Sequence, residues 1–179
     1  MLREVLLRID NTLTVASLLA RPEPIQRDDV DIDALIAIAI ADMPAAERSR
    51  IRVVRDTPTR TALMDMSLMR LALRNLLSNA LKFSPRHSRV TVRIADTEAP
   101  PALRIAVIDS GGGIPEGLRP QLFSRGERAS GATAGQGLGL GLYIVERVMA
   151  LHDGSVDVVH TGADGTTMQL VITQIDSDD

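Results

Sequence analysis

The stretch Asn75-Leu76-Leu77-Ser78-Asn79-Ala80-Leu81-Lys82-Phe83 lies in a segment, Met66 to Ser84, whose apolar residues Leu68, Leu71, Ala72, Leu76 and Ala80 recur every three or four positions. That spacing predicts a helix with one apolar face. Pro85 stops it, because proline has no N–H and its ring clashes with the preceding turn. Asn75, Asn79, Lys82 and Phe83 stand at i, i+4, i+7 and i+8, so all four project from one stripe of the helix. A single asparagine on a solvated face carries no message. Two asparagines one turn apart, followed on the same stripe by a lysine and an aromatic ring, predict a face turned toward a ligand. Lys82 is also the only lysine in an arginine-rich chain. A compact ammonium suits a phosphate as a point charge, and an amide oxygen is a hard ligand for Mg²⁺, which keeps several waters of its own.

Working outward, Ile51 to Arg55, Val90 to Ala95, Leu103 to Ile108, Ser155 to Val159 and Thr167 to Ile172 read as strands between Pro, Gly and polar breaks. Asp31 to Ala41 reads as a short strand leading into an apolar helix closed near Pro44, and about Leu140 to Leu151 as a further helix. Leu2, Val5, Leu6, Ile9, Leu13, Ala16 and Leu19 form a helical stripe that ends before Pro22 and is spaced for packing against other helices, so self-association is expected through it. Ser124 to Gly137, rich in Gly, Ala, Ser and Thr, is too long for a plain connection and is expected to be a mobile functional loop. No internal repeat is found. The pattern predicts an α+β fold, a two-layer α/β sandwich with a mixed sheet covered on one face, preceded by one helix.

At 179 residues, 45% apolar and 24% charged, the chain can bury one core. A net charge of -3 offers no general basic field for a nucleic-acid backbone, so nucleic acid is not an expected partner. The absence of cysteine excludes disulfide and thiolate-metal chemistry. The longest apolar run, Ala34 to Ala41, falls well short of the roughly 20 residues of a membrane-spanning helix. No membrane segment is expected in this chain, and the expected location is cytoplasmic, with a full-length protein that can be membrane-anchored.

Two glycine motifs complete the set. Asp109-Ser110-Gly111-Gly112-Gly113-Ile114-Pro115 follows an apolar strand. A carboxylate at a strand end can accept from the exocyclic amine of adenine, while glycines let the backbone approach the ring. Gly135-Gln136-Gly137-Leu138-Gly139-Leu140-Gly141-Leu142 runs into a helix. Backbone N–H groups at a helix start can hold phosphate oxygens. This is neither the phosphate loop ending in Gly-Lys-Ser/Thr nor a dinucleotide fingerprint.

Together these elements resemble the catalytic ATP-binding domain of sensor histidine kinases. Asn75 to Ser84 is similar to the asparagine box, Asp109 to Pro115 to the first glycine box and Gly137 to Val145 to the second, in the family's order. Leu122-Phe123-Ser124-Arg125-Gly126 resembles the phenylalanine box with one of its two phenylalanines. The likeness covers about Asp28 to Thr173. It implies the GHKL ATPase fold shared with gyrase B subunits, heat-shock chaperones and mismatch-repair proteins, with ATP and Mg²⁺ as cofactors. By this resemblance Asn79 is the Mg²⁺ ligand, Asn75 and Lys82 reach the phosphates, and Asp109 reads adenine. Phe83, Gly111, Gly113, Ile114, Phe123, Arg125, Gly137, Leu138, Gly139, Leu140, Gly141, Leu142 and Thr166 complete the ATP site, and Ser124 to Gly137 is its lid. Phe83 stands where tyrosine is commoner, keeping the ring without the hydroxyl.

In the ATP-hydrolysing relatives and the anti-sigma-factor serine kinases, a glutamate four residues before the metal-binding asparagine serves as general base. Here that place holds Asn75, and an amide cannot accept a proton at neutral pH. The resemblance therefore implies a kinase that donates the γ-phosphoryl group to a histidine on another domain or chain, with no catalytic residue in this chain. The alternatives are a nucleotide-sensing module without chemistry and, disfavoured by Asn75, a serine kinase. None of the three histidines has the acceptor's context: His87 reads as a solvated loop residue, His152 as a helix C-cap and His160 as a strand end. Residues 1–21 are expected to be the second helix of a dimerisation hairpin, 22–175 the catalytic domain and 176–179 an acidic tail. The chain is then a truncated frame, a fragment or part of a split kinase. The implied partners are a histidine-bearing dimerisation domain, a response regulator and, in the full-length protein, a second copy.

Overall fold

A computed structural model describes residues 13, 14, 16–18, 20, 25–124 and 140–173. In chain order these give β1 (Asp28–Asp31), α1 (Ile32–Ala41), α2 (Ala45–Arg48), β2 (Ile51–Arg55), β3 (Thr61–Met64), α3 (Met66–Phe83), β4 (Val90–Glu98), β5 (Pro101–Asp109), a 3₁₀ turn (Glu116–Gln121), α4 (Gly141–Leu151), β6 (Ser155–Gly162) and β7 (Gly165–Thr173). Five strands make one mixed sheet in the order β2-β4-β5-β7-β6, with β2 parallel to β4 and the other pairs antiparallel. β1 and β3 pair separately as an antiparallel ribbon.

Alternation along the strands decides which face is covered. Val90, Val92 and Ile94 of β4 and Leu103, Ile105 and Val107 of β5 enter the core, whereas Arg93 and Arg104 stay exposed. On the inner face lie α3 and α4, with α1 packed on α3. The two-layer sandwich expected from the sequence is therefore the fold observed. Both long inner helices are apolar on the face they bury, through Leu68, Met69, Ala72, Leu73, Leu76 and Leu77 in α3 and through Ile144, Val145 and Val148 in α4.

The starts of α1 and α3 follow the capping rule that a short acidic side chain takes an orphan N–H. Asp31 accepts from Ala34 N–H at 2.8 Å and Asp65 from Leu68 N–H at 2.9 Å. The strand expected from Asp31 onward lies instead at Asp28–Asp31, with Asp31 serving as the cap of α1. β3, α2 and the 3₁₀ turn have no counterpart in the sequence pattern. Of the opening stripe, Leu13 is 65% exposed and Ala16 exposed, while Leu18, off that stripe, is buried in the core. Leu2, Val5, Leu6, Ile9 and Leu19 lie outside the described residues, as do 125–137 of the expected lid and the 176–179 tail.

Candidate nucleotide-binding site

Asp109 ends β5, opposite Thr166 of β7, and Thr166 stands opposite Thr161 of β6. Directly opposed residues in neighbouring strands share a face, so the three side chains form one row on the helix side of the sheet. Asp109 Oδ1 accepts from the Gly111 N–H at 2.7 Å and the Thr166 N–H at 3.3 Å. The other carboxylate oxygen has no hydrogen-bond partner among the described residues. Ile114 N–H donates to Thr161 Oγ1 at 2.7 Å, and the two threonine hydroxyls are 3.1 Å apart. Gly113 has φ +80°, and a Cβ there would lie 2.5 Å from the Gly162 carbonyl oxygen, so only glycine brings this loop onto the β6–β7 hairpin.

The asparagine stripe of α3 borders the same place. A Cβ on Gly111 would lie 2.8 Å from the Phe83 carbonyl oxygen, so the first glycine motif touches the C-terminal end of the stripe. A Cβ on Gly141 would lie 3.1 Å from Asn75 Oδ1, so the start of α4 touches its N-terminal end. Asn75 is half-buried, and its Nδ2 donates to Leu71 O at 2.9 Å within its own helix. Asn79 is half-buried, and its side chain makes no hydrogen bond among the described residues. Lys82 Nζ lies 5.1 Å from the centroid of the Phe83 ring, which is 64% exposed. Among the described residues, no side chain caps the start of α4 at Gly141, and a helix start of this kind can offer first-turn N–H groups to an anion.

These positions bring together Asn75, Asn79, Lys82, Phe83, Asp109, Gly111, Gly113, Ile114, Gly141 and Thr166. Leu140 is buried in the core, while Leu142 and Phe123 pack partly against it, so Leu140 and Leu142 offer a ligand mainly backbone. Arg125, Gly137, Leu138 and Gly139 lie outside the described residues. Sequence reasoning missed Thr161, whose hydroxyl bonds the glycine loop.

His152 has a larger part than a helix cap. It caps α4 as expected, but it is wholly buried, and its Nε2 accepts from the Asp65 N–H at 3.0 Å while Nδ1 donates to Val148 O at 2.7 Å. That pattern requires the proton on Nδ1. Burial pushes its pKa below the usual histidine value, against the opposing effect of the Val148 bond. The imidazole thus ties the end of α4 to the start of α3. Arg27 reinforces the junction, bonding Leu151 O at 3.3 Å and Asp153 Oδ2 at 2.5 Å.

The sequence family described as histidine kinase-, DNA gyrase B- and HSP90-like ATPase matches residues 64–175, and the chain belongs to it. Its similarity runs to sensor histidine kinases. The sensor-like histidine kinase SenX3 of Mycobacterium tuberculosis (strain ATCC 25618 / H37Rv) is 37% identical over 149 residues, covering 80% of this chain and 36% of the relative. The signal transduction histidine-protein kinase/phosphatase MprB of Mycobacterium sp. (strain KMS) is 44% identical over 90 residues, half of this chain and 17% of that protein. The chain therefore spans about a third or less of these relatives. The solved mycobacterial sensor histidine kinase MprB superposes with a TM-score of 0.68 at 30% identity, over 82% of this chain and 98% of that one. Full-length ShkA, solved in complex with AMPPNP, gives a TM-score of 0.80 at 24% identity over 96% of this chain and 36% of that one, a likeness of fold. The chain thus carries a histidine kinase ATPase domain.

Proposed function

We propose that this chain binds ATP with Mg²⁺ between α3, the Asp109 loop and the start of α4, and donates the γ-phosphoryl group to a histidine on another domain or chain. The observation that carries this is the pair of close approaches, Gly111 to the Phe83 carbonyl and Gly141 to Asn75 Oδ1, which bring the first glycine motif and the described end of the second beside the asparagine stripe. Asp109 would accept the exocyclic amine of adenine with its unpaired oxygen, and Lys82 would meet phosphate charge. Asn79 fits a metal carried by the nucleotide. Its amide oxygen is a hard donor without another partner among the described residues, and no group of three or more His, Asp or Glu among those residues could hold a metal independently. Bound Mg²⁺ would neutralise charge on the phosphate oxygens.

Asn75 cannot remove a proton from water or a serine hydroxyl, which favours transfer over hydrolysis. Its amide is instead fixed between Leu71 O and Gly141. A cytoplasmic setting, a response regulator and a homodimeric full-length protein belong to the same proposal. Among the described residues, no helix is long and apolar enough to cross a membrane. Mixing the chain with γ-labelled ATP and a separately prepared histidine-bearing hairpin domain tests the reading. Acid-labile label on the hairpin is expected. Nucleotide binding without transfer would instead support a sensing module.

A further inference from the structure

Resting on the nucleotide reading above, we propose that Thr161 is a positioning residue for base recognition, setting both the place of the Gly111–Ile114 loop and the direction of the Thr166 hydroxyl. A hydroxyl has one proton and two acceptor sites. Thr161 Oγ1 spends one acceptor site on the Ile114 N–H at 2.7 Å, and its proton can then go to Thr166 Oγ1 at 3.1 Å. Thr166, accepting that proton, keeps its own for a ligand or an intervening water. The strand register sets Thr166 beside Asp109, whose Oδ1 already takes the Thr166 and Gly111 amides. The row then presents a carboxylate acceptor next to a hydroxyl donor. That order matches the adenine edge, an amine beside a bare ring nitrogen, and opposes the guanine edge, a carbonyl beside an N–H.

Thr161 has no nucleotide-motif signal in the sequence. Its influence is carried by the β6–β7 hairpin, which packs against Gly113 through the Gly162 carbonyl. Valine keeps the shape of threonine and suits a strand, but it removes the acceptor and the proton together. Serine keeps both.

The test is displacement of a fluorescent trinitrophenyl ATP analogue from the full 179-residue chain by ATP and by GTP in the presence of Mg²⁺, for wild type, Thr161→Val and Thr161→Ser. We expect wild type to prefer ATP. Thr161→Val should bind ATP about tenfold more weakly and lose most of its preference over GTP, with Thr161→Ser restoring both. Unchanged affinity and preference in Thr161→Val overturns the role of Thr161 alone. Equal weakening for both nucleotides also overturns it, since a merely structural loss would do that. A wild-type chain that binds neither nucleotide overturns the underlying nucleotide reading as well. Should the valine variant not fold, hydrogen exchange of the Ile114 amide in wild type decides. Slow exchange is expected, and exchange at an open-loop rate removes the bond on which the inference stands.

Discussion

The strand end around Asp109 and the asparagine stripe of α3 border the same site, yet they are held in different ways. Around Asp109, hydrogen bonds of 2.7 to 3.3 Å join the carboxylate to Gly111 and Thr166 and the Ile114 amide to Thr161. Along α3, Asn79 has no side-chain hydrogen bond among the described residues and Phe83 is 64% exposed. The first region has its loop and strand ends pinned by these bonds before any ligand arrives, with one Asp109 oxygen left unpaired among the described residues. The second presents groups whose best partners would come with the ligand. On the proposed nucleotide reading, such a division would let a base be selected by a preformed edge while the phosphates and metal complete the other end.

The substitution expected to break this contrast most severely is Gly165→Ala. Gly165 has φ +132°, and a Cβ there would overlap the Asp109 carbonyl oxygen, so alanine must displace the strand end itself. A loss of about 3 kcal/mol in stability is expected, together with loss of ATP binding. Thermal melting and calorimetry check both. Asp109→Asn comes next: the amide can still accept at one atom, but the charge is gone. ATP binding, expected in the micromolar range, or about -5.5 to -8 kcal/mol, should weaken roughly ten- to a hundredfold with little change in melting temperature. Unchanged affinity in calorimetry would remove Asp109 from base reading.

The α3 side is vulnerable through its support. His152 is held neutral by burial, so its folded-state pKa lies below its unfolded value. The unfolded chain then binds the extra proton first as pH falls. Stability from this group is complete above the ordinary histidine range and is lost progressively below it. Melting temperature should drop on acidification below about pH 6.5. His152→Leu should lessen that dependence while costing about 1–3 kcal/mol at neutral pH, because the Asp65 N–H loses its buried acceptor. A slope unaltered by the substitution would assign the acid response elsewhere.

What the sequence disclosed and what it hid follow the range of the interactions. The helix from Met66 was legible because its apolar period is local, and strands β4 to β7 because their alternation or apolar runs are bounded by clear breaks. β3 was not, since four residues show little period and its partner β1 lies some thirty residues upstream. The asparagine and glycine motifs stood out by residue type and order, and they carried the resemblance to the family. Thr161 and the His152–Asp65 bond did not, because each depends on a partner 47 or 87 positions away. Leu18 was missed for a related reason: it lies off the regular stripe of the opening segment, and its burial depends on core partners far along the chain.

Asn79→Ala probes the exposed side directly. The fold should survive, because the side chain makes no described hydrogen bond, while the part of ATP affinity that depends on Mg²⁺ should fall by about tenfold. Titrations with and without Mg²⁺ measure that difference, and an unaltered metal response would take Asn79 out of the site.

The smallest effect is expected at Phe83, where the sequence departs from the commoner tyrosine. The ring is 64% exposed and carries the Lys82 ammonium at 5.1 Å from its centroid, so its present contribution is a surface cation–π contact of about 0.5–1 kcal/mol. Phe83→Tyr preserves that contact and adds a hydroxyl to a mainly solvated ring. ATP affinity should therefore change by less than about twofold, whereas Phe83→Ala, which removes the ring, should weaken it by about two- to fivefold. A tyrosine variant that binds ATP tenfold more tightly would mean that the ring turns into the site when nucleotide binds. In that case the α3 stripe would be organised by its ligand much more than its present exposure indicates.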